Sequence, residues 1–96
     1  MGVTTVLAAG NTSASSTDIV VAVGEVITVG IFSATDGGLP ADAEFVLKKA
    51  TPGADNEVFR FGNVNRQKAI TSPGTYQVDR TAYTGLAFGV FTDDGA

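Results

Sequence analysis

Residues 26–33 read VITVGIFS, and this stretch decides the fold class. In an extended strand, successive side chains point to opposite faces of the sheet. Ile27, Val29 and Ile31 then share one wholly apolar face, which we expect to point toward a core. Gly30 leaves the other face without a side chain in mid-strand, which indicates either a close backbone approach or a bulge. The stretch therefore predicts a β-strand with one buried face.

Short β-branched runs separated by Gly, Pro, Asn, Asp and Ser continue on both sides of this strand, as is typical of an all-β domain. They predict further strands at residues 3–9, 18–23, 44–49, 57–61, 68–71, 75–80 and 86–92. No window has the i, i+3, i+4 apolar stripe of a helix, and residues 40–43 could form one helical turn at most. We predict a single domain over residues 1–96, a compact antiparallel β-sandwich of about seven to eight short strands, Ig-like or jelly-roll-like, without substantial helix. Whether the sheets close as a sandwich or curl toward a barrel stays open.

Three local features refine this expectation. Alternation in residues 44–49 predicts that Val46 points outward, and alternation in residues 57–61 places Glu57 on the same face as Phe59. The segment SPGTYQVDR at 72–80 combines a tight turn with Tyr76, whose hydroxyl we expect to bond the backbone as corner tyrosines do. The echo between VGIF at 29–32 and FGVF at 88–91 suggests strands in equivalent places in the two sheets.

The composition is poor in charge and contains no cross-linking residue. Of the 96 residues, 44% are hydrophobic and 17% are charged, whereas an ordinary domain carries about 25% charged residues. The chain has no Cys and no His, so it cannot form a disulfide or a typical zinc site. A surface so lean in charge suggests that partners cover part of it. The net charge of −4 argues against nucleic-acid binding, and no apolar run approaches the length of a membrane span.

The sequence lacks the residue types that most often carry out catalysis. Without His and Cys, the common nucleophilic dyads and the usual general base are absent. Asp93 and Asp94 are adjacent, and adjacent residues of a strand point to opposite faces, so they make a poor catalytic carboxylate pair. No glycine-rich phosphate loop is present. We therefore predict that the protein is not an enzyme and has no catalytic residue, no cofactor and no metal site.

The chain resembles small virion proteins of tailed bacteriophages. The resemblance rests on the opening Thr, Val and Ala run, on VVAVGEVITVGIFSATDGGLP at 20–40, on ATPGADNEV at 50–58, on SPGTYQVDR, and on GLAFGVFTDDG at 85–95. Proteins of this kind are short β-sandwiches that decorate the capsid as cement proteins or form the base of a head fibre. The resemblance implies a non-enzymatic structural protein on the capsid exterior, made in the cytoplasm of the host bacterium. Its partner would be the major capsid protein, which it stabilises, and it would form a homo-oligomer, with a trimer favoured.

Two sets of residues are candidates for partner binding. Residues 1–9 are predicted to form an N-terminal arm or an edge strand suited to β-addition, while residues 93–96 form a flexible acidic tail. A group of basic residues is expected to face an acidic capsid surface. The candidate partner-binding residues are Val3, Val6, Leu7, Lys48, Lys49, Arg60, Arg66 and Lys68.

Two other functions stay open. The chain could be a host-surface or carbohydrate-binding β-sandwich module, for which an exposed aromatic platform would be the signature. It could also be a tail or connector subunit, which differs from a decoration protein mainly in its copy number per particle.

Overall fold

The computed structural model describes residues 2–33, 35, 37–51 and 56–95. Within these ranges there is no helix, and the strands are β1 (Val3–Gly10), β2 (Ala14–Ser15), β3 (Ile19–Val21), β4 (Ile27–Ser33), β5 (Phe45–Lys49), β6 (Asn56–Phe61), β7 (Gln67–Ile70), β8 (Gly74–Arg80) and β9 (Phe88–Asp93). The all-β class is confirmed. The described part of the chain has nine strands rather than seven or eight, because the polar segment after β1 contributes the two-residue strand β2.

The strands form two antiparallel sheets. Sheet A has the order β1-β9-β4-β7. Sheet B has the order β2-β8-β5-β6, and β3 also pairs with β8. Consequently β1 and β7 are the edges of sheet A. In sheet B, β6 forms one edge, and β2 and β3, which both pair with β8, form the other.

The core lies between the two sheets. Val29 and Val90 from sheet A and Leu47 and Val78 from sheet B are all fully buried, in one continuous apolar cluster. The rings of Phe45 in sheet B and Phe88 in sheet A meet edge to face at 6.5 Å. Each sheet therefore buries one face against the other, which is a β-sandwich. The predicted inward residues of the opening stretch, Ile27, Val29 and Ile31, are all in this cluster.

The VGIF and FGVF segments do not occupy equivalent places in two sheets, so that prediction was wrong. They pair with each other at the centre of sheet A, where Gly30 lies opposite Phe91 and Phe32 lies opposite Gly89. Gly30 makes room for a side chain, because a Cβ built on it would lie 2.5 Å from Cε1 of Phe91. The pairing of β4 with β9 has no register shift, so of the two alternatives predicted at Gly30, a close backbone approach or a bulge, the bulge is absent.

A bulge occurs instead in β6, and it overturns one predicted alternation. Leu47 pairs with Phe59 but Lys48 pairs with Glu57, which leaves Val58 as the extra residue. Glu57 therefore faces outward with Arg60, and the two form an ion pair of 2.8 Å, rather than sharing a face with Phe59.

Val46 lies on the outward face of β5 as predicted, yet only 7% of it is exposed. It sits between Arg60 of β6 and Asp79 of β8, whose ion-paired side chains flank it. The alternation of side chains along β5 assigned Val46 to the correct face, but it did not predict that neighbouring side chains would bury it.

Tyr76 behaves as the corner tyrosine that the sequence predicts. Its side chain is 2% exposed, and its hydroxyl donates a hydrogen bond of 2.7 Å to the carbonyl of Ser72. The bond closes the turn between β7 and β8, where the chain passes from sheet A to sheet B.

Arg80 is a buried cation that the sequence analysis did not single out. It is 5% exposed, and its guanidinium donates hydrogen bonds to the carbonyls of Ala8, Thr12 and Phe88 at 3.0, 2.6 and 3.0 Å. These acceptors belong to β1, to the segment after it and to β9. Arg80 of sheet B therefore fastens one end of sheet A to the sandwich.

Candidate interaction surface

The N-terminal segment is an edge strand of sheet A. Its three candidate partner-binding residues differ in their exposure to solvent. Val3 is 61% exposed, whereas Val6 and Leu7 are partly buried and pack against the core. The difference arises from a register shift between Thr5 and Leu7, where β1 gains a residue relative to β9. Of these three residues, only Val3 is therefore open to a partner.

The backbone of β1 is occupied along part of its outer side. The carbonyl of Val6 accepts a hydrogen bond of 3.0 Å from the amide of Thr17. At the start of the strand, the amide of Asp94 bonds the carbonyl of Gly2, so the backbone groups of Val3 and Thr5 point away from β9 by the alternation of an antiparallel ladder. Val3 and Thr5 thus present a short free sheet edge.

The outward surface of sheet A is nearly devoid of charge. We call it outer face A, and the register of the four strands assigns to it Val3, Thr5, Gly89, Phe91, Asp93, Thr28, Gly30, Phe32, Gln67 and Ala69. Asp93 is the one charged residue in this set.

A shallow hollow lies in outer face A beside the free edge of β1. It has a volume of about 270 Å³ and is lined by Val3, Thr5, Phe32 and Phe91. The two phenyl rings meet edge to face with their centroids 6.4 Å apart. Both rings cover glycines on the neighbouring strand, since a Cβ on Gly89 would lie 2.7 Å from Phe32. Each ring is thereby packed over a glycine, and the aromatic pair stays partly open to solvent.

The outward surface of sheet B has the opposite character. Lys48 pairs with Asp79 at 2.9 Å, and Arg60 pairs with Glu57 at 2.8 Å and Glu44 at 3.4 Å. These side chains are about one third to one half exposed, and such exposed pairs contribute little to stability. The surface is polar, and its basic groups are already neutralised.

The pKa values on this surface follow from the ion pairs. Hydrogen bonding to Glu57 raises the pKa of Arg60 further above its ordinary value. For Asp79, partial burial alone would raise the pKa, but the hydrogen bonds from Lys48 and Ser15 outweigh it and hold the pKa below its usual value. Both shifts favour the charged forms, so neither group is prepared to exchange protons near neutral pH.

The five predicted basic residues do not form one continuous patch. Lys48 and Arg60 lie on the outward surface of sheet B, as described above. Lys49 and Lys68 lie near the gap between β6 and β7, with their ammonium groups over the rings of Tyr76 and Phe59 at 5.7 and 5.5 Å.

Arg66, the fifth of these residues, has a structural role beside β7. Its guanidinium donates hydrogen bonds to the carbonyl of Gly37 at 3.2 Å and to Oδ1 of Asn63 at 3.0 Å. It also lies 5.3 Å from the ring centroid of Phe88. Arg66 therefore ties the connection before β5 to the turn before β7.

The described residues contain no candidate metal-binding group. Within residues 2–33, 35, 37–51 and 56–95, no three His, Cys, Asp or Glu side chains are grouped so as to hold a metal ion. In the same ranges, no helix is long and apolar enough to cross a membrane. The prominent surface features are the hollow in outer face A, the free edge of β1 and the gap between β6 and β7.

Comparison of the chain with protein-family models, with curated proteins and with solved structures gives no match.

Proposed function

We propose that the chain is a non-enzymatic structural protein of a tailed-phage particle that decorates the outside of the head. In this role it docks through outer face A on the major capsid protein and stabilises the contacts between capsid subunits. The observation that carries the proposal is the asymmetry of the two outward surfaces: sheet A presents a nearly uncharged face with Phe32 and Phe91, and sheet B presents paired charges.

Such a face suits the centre of a protein interface. Interface cores are depleted in charged residues and enriched in aromatic ones, while polar surfaces remain in contact with water. Outer face A has this composition, with Asp93 as its one charge among the residues that the register assigns to it. Docking by outer face A would leave the ion pairs of sheet B on the outside of the particle.

The free edge of β1 gives the docked protein a second kind of contact. The backbone groups of Val3 and Thr5 can pair with an extended segment of the capsid protein, which would lengthen sheet A by one strand. The side chains of Val3 and Thr5 also line the hollow. A single added strand from the capsid protein could therefore bond the free backbone groups of β1 and cover the aromatic pair.

Docking also accounts for a small domain without cross-links. A domain of this size buries a modest fraction of its surface, and any partner that binds only the folded form stabilises it by mass action. Many copies with individually weak contacts would brace a shell.

The direct test adds the purified protein to phage heads that lack it and measures bound copies by co-sedimentation and electron microscopy. Val3→Asp places a charge in the hollow, and we expect it to reduce occupancy at least about tenfold, a cost of about 1.4 kcal/mol per contact. Val64→Asp is the matched control, because Val64 is 94% exposed in the turn before β7 and is not among the residues of outer face A.

Two results would overturn the proposal. One is binding that Val3→Asp leaves unchanged. The other is a copy number of a few per particle, which belongs to a tail or connector subunit and not to a protein that covers the head.

The second candidate is a carbohydrate-binding module of a phage, and the observation that favours it is the exposed Phe32–Phe91 pair beside a hollow. Aromatic rings next to polar groups such as Thr5 are a usual arrangement in ligand sites. Saturable binding of host-surface glycans, weakened by Phe32→Ala, would support this role over capsid decoration.

A further inference from the structure

A second surface feature of the protein is a cleft with two lysines beside it. The cleft lies between the edge strands β6 and β7, has a volume of about 190 Å³, and is lined by Val58, Lys68, Ala69, Ile70, Thr71, Ser72 and Tyr76. Lys49 stands at its rim, with its ammonium nitrogen 3.4 Å from Oγ of Ser72. We call Lys49, Lys68 and this cleft the basic cleft.

The other basic residues of the chain are already engaged. Of the six Lys and Arg residues, Lys48 and Arg60 form ion pairs, and Arg80 is buried among backbone carbonyls. Arg66 bonds the carbonyl of Gly37 and the side chain of Asn63.

Lys49 and Lys68 differ from these four. Neither has a carboxylate partner among the described residues, and both ammonium groups rest on aromatic rings, of Tyr76 and Phe59. A cation over a ring keeps its charge and can still accept an anion on its open side. The basic cleft is thus the place in the described structure where positive charge is uncompensated.

We propose that the basic cleft binds a carboxylate side chain, Asp or Glu, of an extended acidic segment of a protein partner. This inference rests on the proposed docking function and names the chemistry of the partner at one border of outer face A. Charge complementarity selects the carboxylate: Lys49 and Lys68 supply positive charge at the cleft, and Oγ of Ser72 offers a hydroxyl donor beside Lys49. Ile70 and Tyr76, both buried, give the cleft an apolar floor against which the stem of the acidic side chain packs.

A nucleic acid does not fit this site. Phosphate backbones need a row of basic groups, whereas the cleft has two lysines on a chain whose net charge is −4. The partner segment is also expected to be extended, since the cleft runs between two sheet edges, β6 and β7.

The test uses the isolated protein and a hexaglutamate peptide and contains no phage heads. A negative result therefore counts against the basic cleft and not against docking on the head. In NMR titrations of the labelled protein at low ionic strength, we expect saturable shifts at the amides of Lys49, Lys68 and Ser72. Added salt should reverse them, because exposed charges are screened over about 10 Å at 0.1 M salt.

The double variant Lys49→Gln/Lys68→Gln should weaken the peptide's apparent affinity about tenfold or more, a cost of about 1.4 kcal/mol. Lys48→Gln is the control, since it removes one lysine charge from a neighbouring residue that already pairs with Asp79. It should bind as the unchanged protein does, and a dispersed spectrum confirms that each variant is folded.

Three outcomes would overturn the proposal: no saturable shift, shifts that the double variant leaves intact, or tighter binding of a thymidine hexanucleotide than of hexaglutamate. Loss of peptide binding in the double variant would support the acidic contact, and head docking that is sensitive to Val3→Asp would separately support the outer-face contact.

Discussion

The ring of Phe91 lies directly over Gly30 on the neighbouring strand, at a distance that leaves no room for a Cβ atom. A Cβ on Gly30 would be 2.5 Å from Cε1 and 2.6 Å from Cζ of this ring. The reciprocal pair, Phe32 over Gly89, repeats the arrangement two residues along the ladder. The hollow in outer face A therefore depends on two glycines.

Gly30→Ala should displace the Phe91 ring and destabilise the protein. We expect a loss of about 1–2 kcal/mol in the free energy of unfolding, as for other overpacked sites, measured from urea denaturation midpoints. Gly89→Ala should cost more, because its Cβ would meet the backbone carbonyl of Leu7 at 2.5 Å, and backbone moves less readily than a ring.

Gly62→Ala is the control for this pair. Nothing lies within 4 Å of its Cβ position, so the substitution should be neutral or stabilise by about 0.5 kcal/mol. If Gly30→Ala were as stable as Gly62→Ala, the close approach of Phe91 would have no energetic weight.

Local patterns were sufficient to predict the strands and much of the core. Period-two alternation identified the buried face of β4, and a Pro-Gly turn followed by Tyr76 identified the corner bond to Ser72. Both features depend on residues close together in the chain, where the geometry of one strand or one turn decides the outcome.

The features that the sequence did not reveal depend on which strands become neighbours. The pairing of β4 with β9 joins Gly30 to Phe91, which are far apart in the chain, and no local pattern specifies it. Arg80 follows the inward alternation of β8, but its acceptors in β1 and β9 exist only after the sheets have packed. The candidate surface was predicted in part for the same reason: Val3 is exposed, whereas the five basic residues separate once the topology is known.

Tyr83→Phe should destabilise the protein more than Tyr76→Phe. The hydroxyl of Tyr76 donates a hydrogen bond to the carbonyl of Ser72, and the loss of this bond should cost about 1 kcal/mol. The hydroxyl of Tyr83 accepts from the buried amide of Phe88 at 3.0 Å and lies 2.7 Å from the carbonyl of Leu86. Removing it strands a buried amide, so we expect about 2–3 kcal/mol by urea denaturation.

Each of the two tyrosine variants serves as the other's control, because both lose one oxygen from a buried ring. Equal losses of stability would contradict the assignment of the larger role to Tyr83.

Arg80→Met should cost about 3 kcal/mol, since it leaves the carbonyls of Ala8 and Phe88 without their charged donor inside the protein. Arg80→Lys should recover little of this loss, because a single ammonium cannot reach the separate acceptors that the guanidinium fork spans. Urea denaturation of both variants checks the prediction. Full rescue by lysine would show that the positive charge alone, and not the shape of the guanidinium group, holds the end of sheet A.

Asp79 should make stability depend on pH in the acid range. Partial burial would raise its pKa, but hydrogen bonds from Lys48 and Ser15 lower it below the ordinary value of 3.8. A carboxyl whose pKa is lower in the folded state stabilises the fold above the pKa of the unfolded state, and this contribution is lost as pH falls through the folded pKa. Asp79→Asn should therefore be less stable than the unchanged protein at neutral pH, and the difference should shrink as the pH falls below the ordinary carboxyl pKa of 3.8 and vanish once the pH is below the folded pKa. Because the Asp79 side chain is 34% exposed, added salt should also reduce the difference at neutral pH. Thermal unfolding of both proteins across this range measures the effect, and a difference that persists unchanged at low pH would show that the carboxylate's charge is not its source.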